Sequence, residues 1–242
     1  MVVPKDSPWQ RLLRMPRRAR EVLRDEGFGG LRSHLVDLLG DISRHRLVEY
    51  RRAVLVVRAV SEPIPTASAR IPVEISLLER SEVDEYAAFH PDTNAPTAHR
   101  RLDLGHQCFV ARHQGAIVNA CWSGTGVVWI PYLQCRIDLG PGEAYVYDHY
   151  TDPRFRGNNV PFVRAVFMLH HFRALGYQRL AAIVIPENRP AFGSFEKSGY
   201  HRIGIIGTLN IGPWKYHRMS AWHHRERLLT RLTRGQPPFD RA

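Results

Sequence analysis

Cysteine is scarce in this chain: Cys108, Cys121 and Cys135 are the only three in 242 residues, and no two form a C-x-x-C pair. An odd, scattered set excludes a disulfide framework and offers no thiolate zinc site. Lysine is almost absent, with Lys5, Lys197 and Lys215 set against 31 arginines. No apolar run approaches eighteen residues and mean hydropathy is −0.31, which argues against a membrane-spanning helix. No internal repeat, H-E-x-x-H or G-x-S-x-G occurs, and the adjacent pairs His170-His171 and His223-His224 point to different helix faces. Metal binding and hydrolase-type nucleophilic catalysis are therefore not expected. With no signal-peptide pattern near Met1 and reduced cysteines, the chain reads as cytoplasmic. What it does have is a 44% apolar fraction with 10% aromatics, enough to build a core for one domain with an appendage.

The formal net charge of +11 is unevenly placed. Residues 1–60 carry +6 and residues 215–242 carry +5, whereas residues 61–214 balance to zero. Basic flanks suit an acidic partner, such as a carrier protein or an anionic membrane surface, and equally suit plain solvated arms. No nucleic-acid module accompanies them. Trp9 to Gly40 shows helical leucine spacing cut by Pro16 and the Gly27–Gly30 cluster, so short helices are expected. Leu47 to Val60 reads as a strand, and Ser61 to Ser68 as a linker. This sets an expected organisation of a basic accessory segment over 1–65, a main domain over 66–219 and a basic tail over 220–242.

Within the main domain the expected order is regular. A strand over Ile71 to Leu77 leads to a helix opening at Ser81 and a second short helix between Ala95 and Leu104. A hairpin follows over Cys108 to Trp122, then strands Val127 to Leu133 and Glu143 to Thr151. A helix over Val160 to Leu175 is closed by Gly176, the strand Arg179 to Ile185 is stopped by Pro186, and a helix runs over Ala191 to Ser198. Closing strands lie between Ile203 and Met219. This is a mixed α/β (α+β) sheet with helices on its faces.

The segment Tyr145 to Pro161 carries the chemistry. A strand runs into the short loop Arg154-Phe155-Arg156-Gly157-Asn158-Asn159, and a helix opens from it at Val160 with Pro161 in its first turn. Such a corner exposes unpaired amides and the positive end of a helix dipole, a site suited to phosphate. Gly157 permits close backbone approach, and Arg154 and Arg156 add cationic partners. The same residues also read as an Asn-capped helix with two surface arginines.

Arg154 to Asn159 resembles the Gln/Arg-x-x-Gly-x-Gly/Ala signature of the GNAT superfamily of acyl-CoA N-acyltransferases, departing only at Asn159. A second motif, Asn188-Arg189-Pro190-Ala191 through Phe195-Glu196-Lys197-Ser198-Gly199-Tyr200, is similar to that family's Asn-x-x-Ala-x-x-x-(Tyr/Phe)-Glu-Lys-x-Gly-(Phe/Tyr). The resemblance covers about residues 70 to 219. It implies a GNAT-like, mainly antiparallel sheet splayed between its fourth and fifth strands, with helices on both faces and an N-terminal helical extension. It further implies that amides from Phe155 to Val160 hold the pyrophosphate of acetyl-CoA or another acyl-CoA, with Thr151 and Asn188 facing the pantetheine arm.

Phe195 stands where many relatives place the tyrosine that protonates the leaving thiolate. Tyr200 or Tyr177 is then the expected substitute. For the base that deprotonates the amine, Glu143 and His149 are favoured. Strand alternation puts Glu143, Tyr145, Tyr147, His149 and Thr151 on one face and Asp148 on the other. The expected activity is N-acyl transfer, as N-acetylation, to a small-molecule or peptide primary amine by direct attack in a ternary complex. Use of a carrier-protein donor, or a degenerate CoA-binding fold, are the alternatives. The acceptor is not legible, because acceptor loops vary freely on such scaffolds.

Overall fold

The β-branched run Val54–Val57 lies in strand β1 (Val48–Ala59) of the computed structural model, which describes residues 48–211, 214–221 and 231–233. The helices expected between Trp9 and Gly40, and most of the 220–242 tail, fall outside those residues. Contacts divide the chain into two compact units, residues 1–51 with 207–218 and residues 52–206 with 219–242. The larger unit thus starts at Arg52, ahead of the boundary expected near residue 65. The reason is pairing: Val54 to Ala59 hydrogen-bond antiparallel to Val184 through Arg179, so this strand is an interior member of the sheet.

The sheet of the larger unit runs β9–β1–β8–β7–β4–β3–β2. Its strands are β2 (Glu74–Leu77), β3 (Gln107–His113), β4 (Ala116–Gly124), β7 (Glu143–Thr151), β8 (Arg179–Val184) and β9 (His201–Ile211). Neighbours are antiparallel from β2 to β7, whereas β7 and β8 are parallel. A small second sheet joins β5 (Val127–Ile130), β6 (Cys135–Asp138) and β11 (Arg231–Thr233). β6 and β11 were not anticipated, being only four and three residues long. Strand β10 (Trp214–Ala221) follows β9, and in the smaller unit Asn210 donates to Glu49 (3.3 Å) and Thr208 Oγ1 lies 2.9 Å from His217 Nδ1.

Period-two alternation explains why both sheet faces are apolar. Val54, Val56, Leu180, Ala182 and Val184 point to one face, where Met168, Leu169 and Phe172 of helix α3 (Val160–Ala174) and Phe192 of helix α4 (Arg189–Lys197) cover them. Ala53, Leu55, Val57 and Ala181 point to the other, covered by Val128, Ile130 and Ile137 of the small sheet. Helices α1 (Val83–Phe89) and α2 (Ala95–Asp103) cover the β3–β4 end of that second face through Val83, Tyr86 and Ala98 against Val110 and Trp122. The 3₁₀ turn Arg80–Glu82 that leads into α1 carries a Glu79–Glu82 capping box rather than the Ser81 cap expected. A glutamate three residues on can return a bond to the Glu79 amide, which Ser81 with Asp84 does not achieve here. No helix among the described residues is long and apolar enough to cross a membrane.

Candidate active site

Strand β7 ends at Thr151, and Asp152 accepts from the Arg154 amide (2.9 Å) to start a 3₁₀ turn over Pro153–Phe155. Gly157 (φ +81°) and Asn159 (φ +63°) then take left-handed backbone, and α3 opens at Val160. Among the described residues, the amides of Gly157, Asn158, Asn159 and Val160 donate to no protein group. Those of Phe155 and Arg156 are consumed by the turn itself, donating to Asp152 O (2.9 Å) and Pro153 O (3.4 Å). The donor run expected over 155–160 is therefore corrected to 157–160. Phe155 instead packs beside Ala111, Val118 and Val160. Arg154 is held by the Asp152 carboxylate (2.6 Å), and Arg156 reaches back to Thr151 O (3.3 Å). Asn159 occupies both ends of its amide, donating to Ser68 O and accepting from Lys197 Nζ, each at 2.6 Å. Its larger side chain is thus accommodated by the linker and the end of α4.

Beside this corner the sheet opens. β7 and β8 pair only from Glu143–Arg179 to Tyr145–Ala181 and then diverge. The resulting cleft, about 640 Å³, reaches Thr151 and Pro161 at the loop and is walled by Tyr145, Tyr147, Ile183, Asn188, Phe195 and Tyr200. Asn188 caps α4 by accepting from the Ala191 amide (3.3 Å), which leaves its N–H groups for a ligand.

The alternation expected along β7 is broken. Asp148 adopts φ +54°, and the register against β4 shifts between Ala120 and Trp122, so two residues of β7 oppose Cys121. Ala144 and Val146 face α3, and Tyr145 faces the small sheet. Past the bulge the parity reverses, and His149 and Thr151 join α3 through Arg164 and Asn119. Glu143 lies at the opposite end of β7, outside the cleft lining. Its buried carboxylate accepts from the Gly140 amide (3.0 Å), with Arg179 Nη1 3.9 Å away. It closes a turn at that end of the strand.

His149 does line the cleft, with Phe195 edge-on at 5.2 Å. Its Nδ1 lies 3.0 Å from Arg164 Nη2 and its Nε2 3.5 Å from Cys121 Sγ. The residue as a whole is exposed, while both ring nitrogens lie against protein groups. Desolvation, then the charge of Arg164, hold its pKa well below the ordinary imidazole value. Tyr200 is buried edge-on to Phe195 (4.9 Å), and burial raises its phenol. Tyr177 packs on Phe172 (4.9 Å) and is not in the cleft lining.

Sequence reasoning missed a polar network that joins these groups in the cleft lining. Arg164, 1% exposed, donates through Nε to Asn119 Oδ1 (3.0 Å), and Asn119 donates to Thr151 Oγ1 and Tyr150 O (2.8 Å each). Its only sequence signal is a charge inside the apolar run Val163 to Met168. Tyr147 O–H is 2.6 Å from His106 Nδ1, and Arg101 lies over both the Trp122 and Tyr147 rings. Burial, then Arg101, push His106 down to about 4, so its ring is neutral at neutral pH. Arg101 also pairs with Asp148, and His90 Nε2 approaches the same carboxylate at 3.3 Å. Burial alone would raise Asp148, but the His90 hydrogen bond and Arg101 outweigh it and hold it at about 2.

A carboxyl depressed in the fold adds stability above its unfolded pKa, and loses it as pH falls through the folded value. Asp148 therefore contributes about 2 kcal/mol above pH 4, most of which is lost by about pH 2 and the rest by about pH 1. Asp148→Asn, which tolerates the left-handed backbone, should match that loss at pH 7 and unfold like wild type near pH 2. Urea titrations at the two pH values check it.

No protein-family model matches the sequence. Mycothiol acetyltransferase of Corynebacterium glutamicum strain R is 30% identical over 142 residues, covering 54% of this chain and 44% of that protein. The chain thus spans less than half the length of this relative. The chain resembles GNAT acetyltransferases. Among solved structures, a GNAT-family acetyltransferase of Novosphingobium aromaticivorans is 19% identical with TM-score 0.46, covering 66% of this chain and 65% of that one. An aminoglycoside 6′-N-acetyltransferase of Acinetobacter baumannii is 10% identical with TM-score 0.43, covering 54% and 92%. No group of three or more His, Cys, Asp or Glu among the described residues is placed to hold a metal.

Proposed function

We propose that this chain is an N-acyltransferase that moves an acyl group, acetyl in the simplest case, from acyl-CoA to a primary amine by direct attack. The observation that carries the reading is the run of four unpartnered amides at Gly157–Val160, opening beside the cleft between β7 and β8. Charge-assisted bonds from such amides contribute roughly 1.5–3 kcal/mol each, ample to anchor a pyrophosphate. Thr151, at the loop end of the cleft, and Asn188 in its lining would hold the pantetheine arm by hydrogen bonds.

The cleft lining offers one carboxylate and one imidazole among the described residues. Asp148 is ionised but committed to Arg101 and His90. His149 meets a guanidinium at Nδ1, and since guanidinium only donates, the imidazole lone pair is already taken. Neither group suits a general base near neutrality. The acceptor therefore reacts as its free base, with the Tyr147 hydroxyl, 2.6 Å from His106 Nδ1, in the cleft lining as a hydrogen-bond partner for the incoming amine. Attack is promoted by placing the two substrates in one cleft.

Titrating wild type with acetyl-CoA in a calorimeter should give one saturable site of micromolar Kd. Absence of binding at 1 mM, on the order of the upper end of ordinary enzyme affinities, would refute the reading.

A further inference from the structure

We propose that the acceptor is a monoamine on an aromatic body, and that the cleft receives this body against Tyr132, Tyr145, Tyr147 and Ile183, on the small-sheet side of the gap between β7 and β8. The proposal rests on the acyl-CoA reading above and names the substrate class of the same site.

The cleft reaches both faces of the sheet. In its lining, Met168 and Tyr200 belong to the face covered by α3 and α4, whereas Ile130, Tyr132, Tyr145 and Ile183 belong to the face covered by the small sheet. The unpartnered amides of Gly157–Val160 open α3, so a donor anchored on them lies along the α3–α4 side. The amine attacks in the gap, and the rest of the acceptor is left the other side.

That side is made of rings and branched aliphatic groups. Tyr145 and Tyr147, two apart on β7, hold their planes within 15° of each other with centroids 6.0 Å apart. The Tyr145 hydroxyl is engaged by the Ile183 backbone, so this residue offers its ring rather than its oxygen. Ile185, 36% exposed, adds a large apolar side chain left open in the same lining. An aromatic body placed here frees apolar surface from water and can stack offset on the tyrosines. Pockets of this composition use their few polar groups to orient a ligand, and the Tyr147 hydroxyl serves that purpose for the amine.

Charge argues against a second ammonium. Asp148 is the one carboxylate in the lining among the described residues, and Arg101 and His90 already hold it. Arg164, also in the lining, is buried with no ion pair among the described residues, and its Nη1 lacks a hydrogen-bond partner. A polyamine would bring its extra cations into a partly desolvated cleft that holds an uncompensated cation and no unspent carboxylate. A single amine that reacts as its free base needs no counter-charge.

Acetyl transfer to a series of amines, with rates expressed per free-base amine, tests this on the wild-type protein. 2-Phenylethylamine should exceed ethylamine in kcat/KM by about tenfold or more, the lower end of what burying one ring contributes, and should exceed spermidine as well. Titration of the same amines into CoA-saturated protein should give the same order without turnover. Tyr132→Ala should shrink the ratio of 2-phenylethylamine to ethylamine roughly threefold or more. The wild-type series decides the matter even if that variant does not fold. Equal or absent use of the aromatic amine, or spermidine preferred over it, overturns the proposal, while a saturable acetyl-CoA site keeps the acyl-CoA reading standing. Octanoyl-CoA binding about tenfold tighter than acetyl-CoA and excluding 2-phenylethylamine would give this wall to the acyl chain, and also overturns the proposal. Failure of acetyl-CoA to bind removes the reading and the proposal together.

Discussion

Gly157→Glu should weaken acetyl-CoA binding at least 100-fold and leave the protein folded. Two effects act at this position. The backbone sits at φ +81°, which costs an L side chain about 1–2 kcal/mol, and the space where a Cβ would go is open, with nothing within 4 Å. No clash is created, so the thermal midpoint should fall by only about 2–8 °C. The larger effect is electrostatic, because a carboxylate among the Gly157–Val160 amides competes with and repels the pyrophosphate. Like charges brought together this closely cost several kcal/mol, which is where the 100-fold comes from. Gly157→Ala carries the backbone cost alone and should lose only a few-fold in affinity. Titration of both variants with acetyl-CoA separates the contributions. Equal, small losses would mean that phosphate does not sit on these amides.

The rate of transfer should follow the ionisation of the acceptor amine. For an alkylamine of pKa about 10, kcat/KM should climb tenfold per pH unit from pH 6 to 9, about a thousandfold in all. The reason lies in the cleft: Asp148 titrates at about 2, and His149 is held well below its ordinary range by desolvation and Arg164. Both keep one protonation state across that interval, so neither can put a bend in the profile. An acceptor amine two pKa units weaker should level off two pH units earlier. Initial rates at saturating acetyl-CoA with such a pair of amines decide the matter. A bend near neutrality shared by both amines would reveal a protein base and reverse the assignment.

The two readings of His149 show how a strand's alternation can mislead. Counting in twos placed it with Tyr145 and Tyr147, facing the acceptor. One residue in left-handed geometry, Asp148, inserts a bulge opposite Cys121 and turns His149 to the α3 face. Asp148 carries little local signal for this, since the bulge is held by Arg101 and His90, 47 and 58 positions away in the chain. Glu143 was misplaced for a simpler reason. Its distance in sequence from the loop was legible, but its occupation by the Gly140 amide at the paired end of β7 and β8 was not. Asn159 raised a question that the chain alone left open, and the fold answers it with Ser68 and Lys197.

Local chemistry is what the amino-acid order decided unaided. Gly157 and Pro161 set the strand-to-helix corner, Gly176 and Pro186 ended their elements, and period-two runs such as Val54–Val57 and Leu180–Val184 made strands that bury both faces. Each depends on residues within one turn or strand of one another. The larger unit's start at Arg52, the opening between β7 and β8, and the Arg164–His149–Cys121 contacts were decided only on folding. They join residues 15 to 130 positions apart, and contacts of that range leave no trace in a local pattern because their partners are set by packing rather than by spacing.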